Sequence, residues 1–145
     1  MEFDRISKLE EAKMAALSGD YEAALRIVDL ILNQFPDDID ALRLKGNTIE
    51  LWISAEFDEI PTTQSNIQLS LARACYEKIL SIDSKNTLAL KDLADHLKDR
   101  GEKKEALILY EELISILRID GANGRDVIDE LREALDEYDV LLTSR

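Results

Sequence analysis

Residues 19–38, GDYEAALRIVDLILNQFPDD, contain one complete helix with a start signal and a stop signal. Gly19 suits the end of a preceding helix, because it adopts the left-handed conformation that other residues reach only at a cost. Asp20 can accept hydrogen bonds from the free backbone N–H groups that begin the next helix. Ala24 is small enough to let a neighbouring helix approach closely, and Pro36 cannot continue the helix. The stretch therefore predicts the second half of a helical hairpin.

The spacing of small residues indicates an internal repeat. Ala12, Gly46 and Ala94, each in the middle of a predicted helix, are separated by 34 and 48 residues. The same separations, in reverse order, divide a second set of small residues early in other helices: Ala24, Ala72 and Ala106. Since 48 is 34 plus 14, one period of 34 with one insertion of 14 residues accounts for all of them.

Apolar residues recur at spacings of three and four along the chain, which is typical of amphipathic helices, and no comparable segment alternates with period two. The few breakers, 5 Gly and 2 Pro, favour helices joined by short loops. We predict helices over residues 4–18, 21–34, 38–56, 64–82, 87–99, 102–118 and 125–142.

This pattern resembles the tetratricopeptide repeat (TPR) family, whose unit is a helix–turn–helix of 34 residues. The resemblance covers repeat 1 over 5–38, repeat 2 over 39–86 with an insertion at about 53–66, and repeat 3 over 87–120. It implies an all-α fold, a right-handed α-solenoid of three hairpins with about seven helices in a single domain over 1–145. The chain departs from the family pattern at the early aromatic position of each first helix and at the last proline, where it has Lys8, Leu42, Leu90 and Arg118.

The last predicted helix, residues 125–142, has apolar residues on one side and acidic residues on the other. A solenoid leaves the apolar face of its final hairpin uncovered, and such a helix can cover it. We expect a capping helix, with partner binding as the alternative, and we expect Asn123 or Asp126 to cap its start.

Composition limits the classes of partner. The chain is 46% hydrophobic and 34% charged, as in globular proteins, and its net charge is -13. Such a field repels phosphate backbones and anionic lipid, so we expect no nucleic acid and no membrane insertion. The TPR resemblance implies a protein or peptide partner instead. Cys75 is the only cysteine, which excludes an intrachain disulfide, and no signal peptide is recognisable at the N-terminus. We expect a cytoplasmic protein, and a homo-oligomer stays open.

Few residues suggest chemistry. His96 is the only histidine, and Asp92 and Asp99 share its helical face, where the three could hold a divalent cation or transfer a proton. A solvated charged face explains them better, because the helix is charged along much of its length, and it is the interpretation we prefer. Cys75 lies on an apolar stripe, which predicts a buried, inert thiol. We therefore expect no catalytic residue, no metal and no cofactor.

The insertion is the most individual feature of the chain. Ile53, Phe57 and Ile60 continue the preceding helix at helical spacing, and Pro61 ends it. The insertion therefore predicts longer third and fourth helices, whose apolar residues either pair with each other or form an exposed contact for a partner or a second copy. Trp52, at its base, is expected in the core.

The TPR resemblance also implies a binding surface, because related proteins bind peptides or helices on a concave surface lined by the first helix of each hairpin. Carried over residue by residue, this surface has mixed charge and contains Leu9, Lys13, Arg43, Asn47, Glu50, Lys91, Asp95 and Lys98. The carboxylate clamp with which some members grip a chaperone C-terminus is not matched, since its positions hold Leu9, Lys13, Leu44, Leu88 and Asp92.

Three functions are compatible with these features of the sequence. The first is a non-catalytic interaction module that binds a partner peptide or helix in the concave groove. The second is a small acidic secretion or assembly chaperone for one dedicated client. The third, which we rank last, is a metal-dependent or catalytic activity at His96.

Overall fold

The structure is a computed structural model that describes residues 4–56 and 63–144, with side chains in the second range described from Ser65 onward. In these ranges the chain forms seven α-helices and no β-strand, which confirms the all-α prediction. The helices are α1 (Arg5–Leu17), α2 (Tyr21–Gln34), α3 (Ile39–Glu56), α4 (Thr63–Ile82), α5 (Thr87–Asp99), α6 (Lys103–Ala122) and α7 (Ile128–Thr143).

The helices pack as sequential hairpins within two compact units, one ending at Ile82 and the other beginning at Asp83. In the first unit α1 pairs with α2, α3 pairs with α4, and α2 packs against α3. In the second unit α5 pairs with α6, and α6 packs against α7. The three pairings are the ones that the 34-residue period predicts. The prediction of a single domain with the stated repeat boundaries stays a prediction.

The residues at the helix ends act as the sequence predicts. Gly19 has a φ of +84°, and the Asp20 carboxylate accepts a hydrogen bond of 3.2 Å from the backbone N–H of Ala23. Asp4 and Asn86 cap α1 and α5 in the same way. Each cap satisfies an N–H group that the helix itself leaves free, which typically stabilises a helix by about 1 kcal/mol.

Small residues set the distance between paired helices. Ala12, Ala24 and Ala94 are fully buried, as expected for residues wedged between helices. Gly46 is the closest case, because a Cβ atom there would lie 2.6 Å from Cε1 of Tyr76, a residue of α4 that is itself fully buried. The α3–α4 hairpin can therefore pack at this distance only because residue 46 has no side chain.

The region around α6 and α7 differs from the prediction. The predicted end of α6 at residue 118 is wrong, since the helix continues to Ala122 and includes Gly121. Gly124 has the left-handed conformation instead, with a φ of +90°, so it is the glycine that makes the turn. Neither expected residue caps α7: Asn123 follows the end of α6, and Val127 precedes α7 without a side-chain cap.

Both helices beside the insertion are long. α3 has 18 residues against 13 for the other first helices, α1 and α5, as predicted, whereas α4 has 20 residues, the same number as α6, which has no insertion beside it. Ile53 is half-buried, while Phe57, Ile60 and Pro61 lie outside the described residues. Trp52 is half-buried rather than fully in the core, and its ring stacks on Tyr21 of α2, with centroids 6.4 Å apart.

We predict that Gly46→Ala destabilises the protein although alanine is the better helix former. The added Cβ would force the buried Tyr76 ring to move, which costs about 1–3 kcal/mol in a packed core. The matched control is Gly121→Ala, whose Cβ would lie at an ordinary 3.5 Å from Val127 and should stabilise by roughly 0.5 kcal/mol.

Urea denaturation followed by circular dichroism measures both changes. In a Tyr76→Leu background the cost of Gly46→Ala should largely disappear, because the ring that meets the new methyl group is gone. A stabilising Gly46→Ala in the wild-type background would contradict the prediction.

Candidate functional site

In the first unit, the predicted binding residues lie in different environments. Leu9 is only 6% exposed and belongs to the hydrophobic core with Ala12, Val28 and Ile31, so its expected place on an open surface is wrong. Its position on α1 directs it inward together with Ala12, one turn on. Lys13 is exposed, and its Nζ lies 3.5 Å from the Glu10 carboxylate.

α3 presents a polar face formed by Arg43, Asn47 and Glu50, all half-buried. The buried Tyr76 of α4 reaches this face, since its hydroxyl lies 2.8 Å from Asn47 Oδ1 and 2.7 Å from Glu50 Oε2. The hydroxyl has one proton, so it donates to one of these two oxygens at a time across the helix pair. A buried ring thus holds two polar side chains of α3 in fixed positions.

The second unit contains the same arrangement on α5. The Tyr110 hydroxyl of α6 donates a hydrogen bond to Asp95, whose other carboxylate oxygen lies 2.7 Å from the Lys91 ammonium. Tyr76 and Tyr110 are 34 residues apart, and their acceptors Asn47 and Asp95 directly follow Gly46 and Ala94. The second and third hairpins therefore share the tyrosine–acceptor pair, which the 34-residue spacing of the two tyrosines could have revealed, whereas the first hairpin has Val28 at the equivalent position.

α7 completes the polar network of the second unit. Lys91 Nζ lies 3.3 Å from the Glu133 carboxylate, and Lys98 Nζ lies 2.6 Å from that of Glu137. The two contacts follow α5 and α7 in the same direction, so these helices run parallel. The predicted surface cations Lys91 and Lys98 are thus paired with carboxylates of α7.

The packing of α7 agrees with a capping helix in part. Ala134 and Leu141 are buried in the second unit, where α7 lies against α6. Ile128 and Leu142 of the predicted apolar side are 64% and 52% exposed. The helix covers the last hairpin with only part of its apolar side.

Comparisons with known proteins give the fold a name. No protein-family model matches the chain, and no curated protein matches it. The type III secretion translocator chaperone SycD of Yersinia enterocolitica is similar in structure, with a TM-score of 0.72 and 17% identity over 97% of this chain and 86% of SycD. The TPR domain of Sgt2 from Aspergillus fumigatus has a TM-score of 0.65 and 18% identity over 93% of this chain and 79% of that one. The chain has a TPR fold. At these identities the likeness is one of fold alone.

The TPR fold places His96 differently from the sequence-based interpretation. The preferred interpretation, a solvated charged face, is wrong for His96, which is only 2% exposed because it shares the inner side of α5 with Leu93 and Leu97. Asp99 is exposed and Asp92 half-buried. Within the described ranges no group of three His, Cys, Asp or Glu side chains is placed to hold a metal ion.

Two further expectations can be compared with the structure. Cys75 is buried, as predicted, and its burial raises the pKa of the thiol, which disfavours the reactive thiolate. Among the helices described, none has the length and apolar character required to cross a bilayer.

The pKa values of Lys91 and Tyr110, both in the second unit, are shifted by burial and by nearby carboxylates. Burial by itself would lower the pKa of Lys91, but hydrogen bonds and charges from Asp95 and Glu133 outweigh it and raise that pKa. Burial, followed by the hydrogen bond to Asp95 and its charge, raises the pKa of Tyr110. Lys91 thus keeps its proton, and Tyr110 its hydroxyl, to higher pH in the folded chain than in the unfolded chain.

We predict that the second unit loses stability as the pH rises above about 10, the pKa of an unfolded-chain tyrosine. There the unfolded state releases the Tyr110 proton while the folded state retains it, so the unfolded state gains relative stability. Tyr110→Phe removes this titration, and the fall of unfolding free energy with pH should become shallower by up to about 1.4 kcal/mol per pH unit. Urea denaturation at several pH values between about 10 and 11.5 measures both slopes. Equal slopes for the two proteins would contradict the prediction.

Proposed function

We propose that the chain is a non-catalytic protein-interaction module whose first helices bind a peptide or a helix of a partner protein. The TPR fold supports a protein-binding role in general. The observation that carries the proposal is the pair of polar faces on α3 and α5, each held in place by a buried tyrosine hydroxyl of the second helix. Side chains already fixed before binding lose little conformational entropy when a partner contacts them, which favours affinity.

The charges of these faces favour a polypeptide over a nucleic acid. The α3 face combines Arg43 with Glu50, and the α5 face combines Lys91 and Lys98 with Asp95. A phosphate backbone requires a surface of mainly positive charge, whereas faces of mixed sign can bind the backbone amides and mixed side chains of a peptide.

Photocrosslinking tests the proposal. A benzophenone amino acid replaces Lys13 of α1 or Arg43 of α3, and the matched control carries it at Lys104, an exposed position of α6 that is not part of these faces. In the source cell, positions 13 and 43 should crosslink to the same partner, and position 104 should not. Equal crosslinking at all three positions, or none at 13 and 43, would exclude the first-helix faces as the binding surface.

A second candidate function is that of a dedicated secretion or assembly chaperone. It is favoured by the structural likeness to SycD, a translocator chaperone, over 97% of this chain. Co-expression with each protein encoded beside this chain tests the candidate, with the soluble and protease-resistant fraction of that protein as the readout. A client should gain solubility when it is co-expressed with the wild-type chain, and it should lose that gain when it is co-expressed with the Arg43→Glu variant. If no neighbouring protein gains solubility, the general interaction module stands without the chaperone role.

A further inference from the structure

A groove lies between α6 and α7 in the second unit, and its lining includes no residue of the α5 face. It has a volume of about 470 Å³ and an apolar floor formed by Ile114 and Leu135. Tyr138 lines one end, where its hydroxyl donates a hydrogen bond of 2.8 Å to Glu111. Arg118 and Ile119 line the other end.

The repeat would place one more helix along α7, as α4 lies along α3 in the first unit. Contacts from Lys103 to Ser144 and from Glu111 to Tyr138 show that α7 runs antiparallel to α6. In the first unit α3 likewise follows α2, and α4 then packs along α3. Within the second unit no described helix packs along α7 in the way that α4 packs along α3.

Apolar side chains remain exposed on the two helices that form the groove. Ile119, which lines the groove, is 59% exposed, and Leu142, about one turn beyond Tyr138 on α7, is 52% exposed. Burying a side chain of this size typically contributes about 1.5–3 kcal/mol, so an apolar residue of a docked helix would find favourable contacts here.

Charge indicates the chemistry of the occupant. Residues 108–144 contain ten acidic and three basic residues, a net charge of -7. Lysines of α5 offset the charges of Glu133 and Glu137, and the segment stays acidic because its other carboxylates still outnumber its basic residues. Asp129, Asp136 and Asp139 have no ion-pair partner in the described part of the chain. A cationic surface is the complement of this field.

The two charges on the α6 side of the groove indicate a direction. Glu111 and Arg118 are seven residues apart on one helix, a separation of about 10.5 Å along the axis. A helix carries partial positive charge at its N-terminus and negative charge at its C-terminus. An occupant with its N-terminal end at Glu111 and its C-terminal end at Arg118 is favoured, and it would run parallel to α6 and antiparallel to α7, as α4 does to α3.

We propose that the groove between α6 and α7 binds an amphipathic helix of a partner protein, with net positive charge and an orientation parallel to α6. Its apolar residues contact Ile114, Ile119 and Leu135, and its basic residues lie near the carboxylates of α7. The groove shares no lining residue with the first-helix faces, so the proposal does not rest on the function proposed for them.

Synthetic peptides test the proposal on the full chain. The probe is an amphipathic peptide of leucine and lysine, about 18 residues or five turns long, and its counterpart has glutamate in place of every lysine. With the ¹⁵N-labelled protein, the lysine peptide should shift amide signals of residues 111–119 and 135–142, while the glutamate peptide should not bind. A nitroxide at the N-terminus of the lysine peptide should broaden signals near Glu111 more than those near Arg118.

A matched pair of variants separates groove binding from general charge attraction. Ile119→Gln changes a groove residue, whereas Val140→Gln changes a residue of α7 that is 67% exposed and does not line the groove. Ile119→Gln should raise the Kd of the lysine peptide by about tenfold or more, and Val140→Gln by less than about twofold.

Four outcomes would overturn the proposal. Equal effects of the two variants would show charge attraction only, and equal binding of both peptides would exclude charge complementarity. Signals shifted only on α3 and α5 would favour the first-helix faces instead, so that the groove fails while the proposed function stands. A dimer of the chain alone that Ile119→Gln dissociates, seen by sedimentation, would assign the groove to a second copy.

Discussion

The contact between the Tyr76 ring and the backbone of Gly46 determines how the α3–α4 hairpin is built and what its polar face presents. The ring is fully buried, and it can occupy this place only because residue 46 has no Cβ atom to meet it. The same side chain then carries its hydroxyl to Asn47 and Glu50. Tyr76 therefore has two roles. Its ring fixes the distance between α3 and α4, and its hydroxyl orients the side chains that are proposed to contact a partner.

The second unit repeats this design with one addition. Tyr110 reaches Asp95 from α6, and α7 brings carboxylates to Lys91 and Lys98 from the other side. The cations of the α5 face are therefore neutralised within the unit before any partner approaches. A carboxylate ligand would have to compete with Glu133 and Glu137 for these lysines, which provides a structural reason why a clamp for C-terminal carboxylates is unsuited to α5.

Much of the fold can be predicted because its signals are local. The signals are a glycine with positive φ, an aspartate cap and a small residue at each helix contact. Each of them acts over a few residues, so the hairpin of residues 5–38 can be predicted from its sequence. The predicted end of α6 at residue 118 is too early because a glycine does not by itself end a helix: Gly121 stays helical, and the left-handed turn is at Gly124.

The candidate site is less predictable because it depends on contacts between helices. The exposure of Leu9 and His96 is decided by the direction in which each side chain leaves its helix, and a shift of one residue turns a side chain by about 100°. The polar partners of the α5 face come from α6 and α7, 15 to 42 residues further along. Contacts between residues so far apart produce no local sequence pattern. Only the 34-residue spacing of Tyr76 and Tyr110 can be recognised in the sequence.

The glycine at position 46 also bears on how the repeats can be exchanged. The equivalent positions in the other two hairpins hold Ala12 and Ala94, so an averaged consensus of the three repeats would write alanine there. Alanine suits the first and third hairpins, whereas at position 46 it would collide with the ring of Tyr76. The three hairpins of this chain therefore share a period without being interchangeable, and a design that placed alanine at position 46 would also have to accommodate the Tyr76 ring.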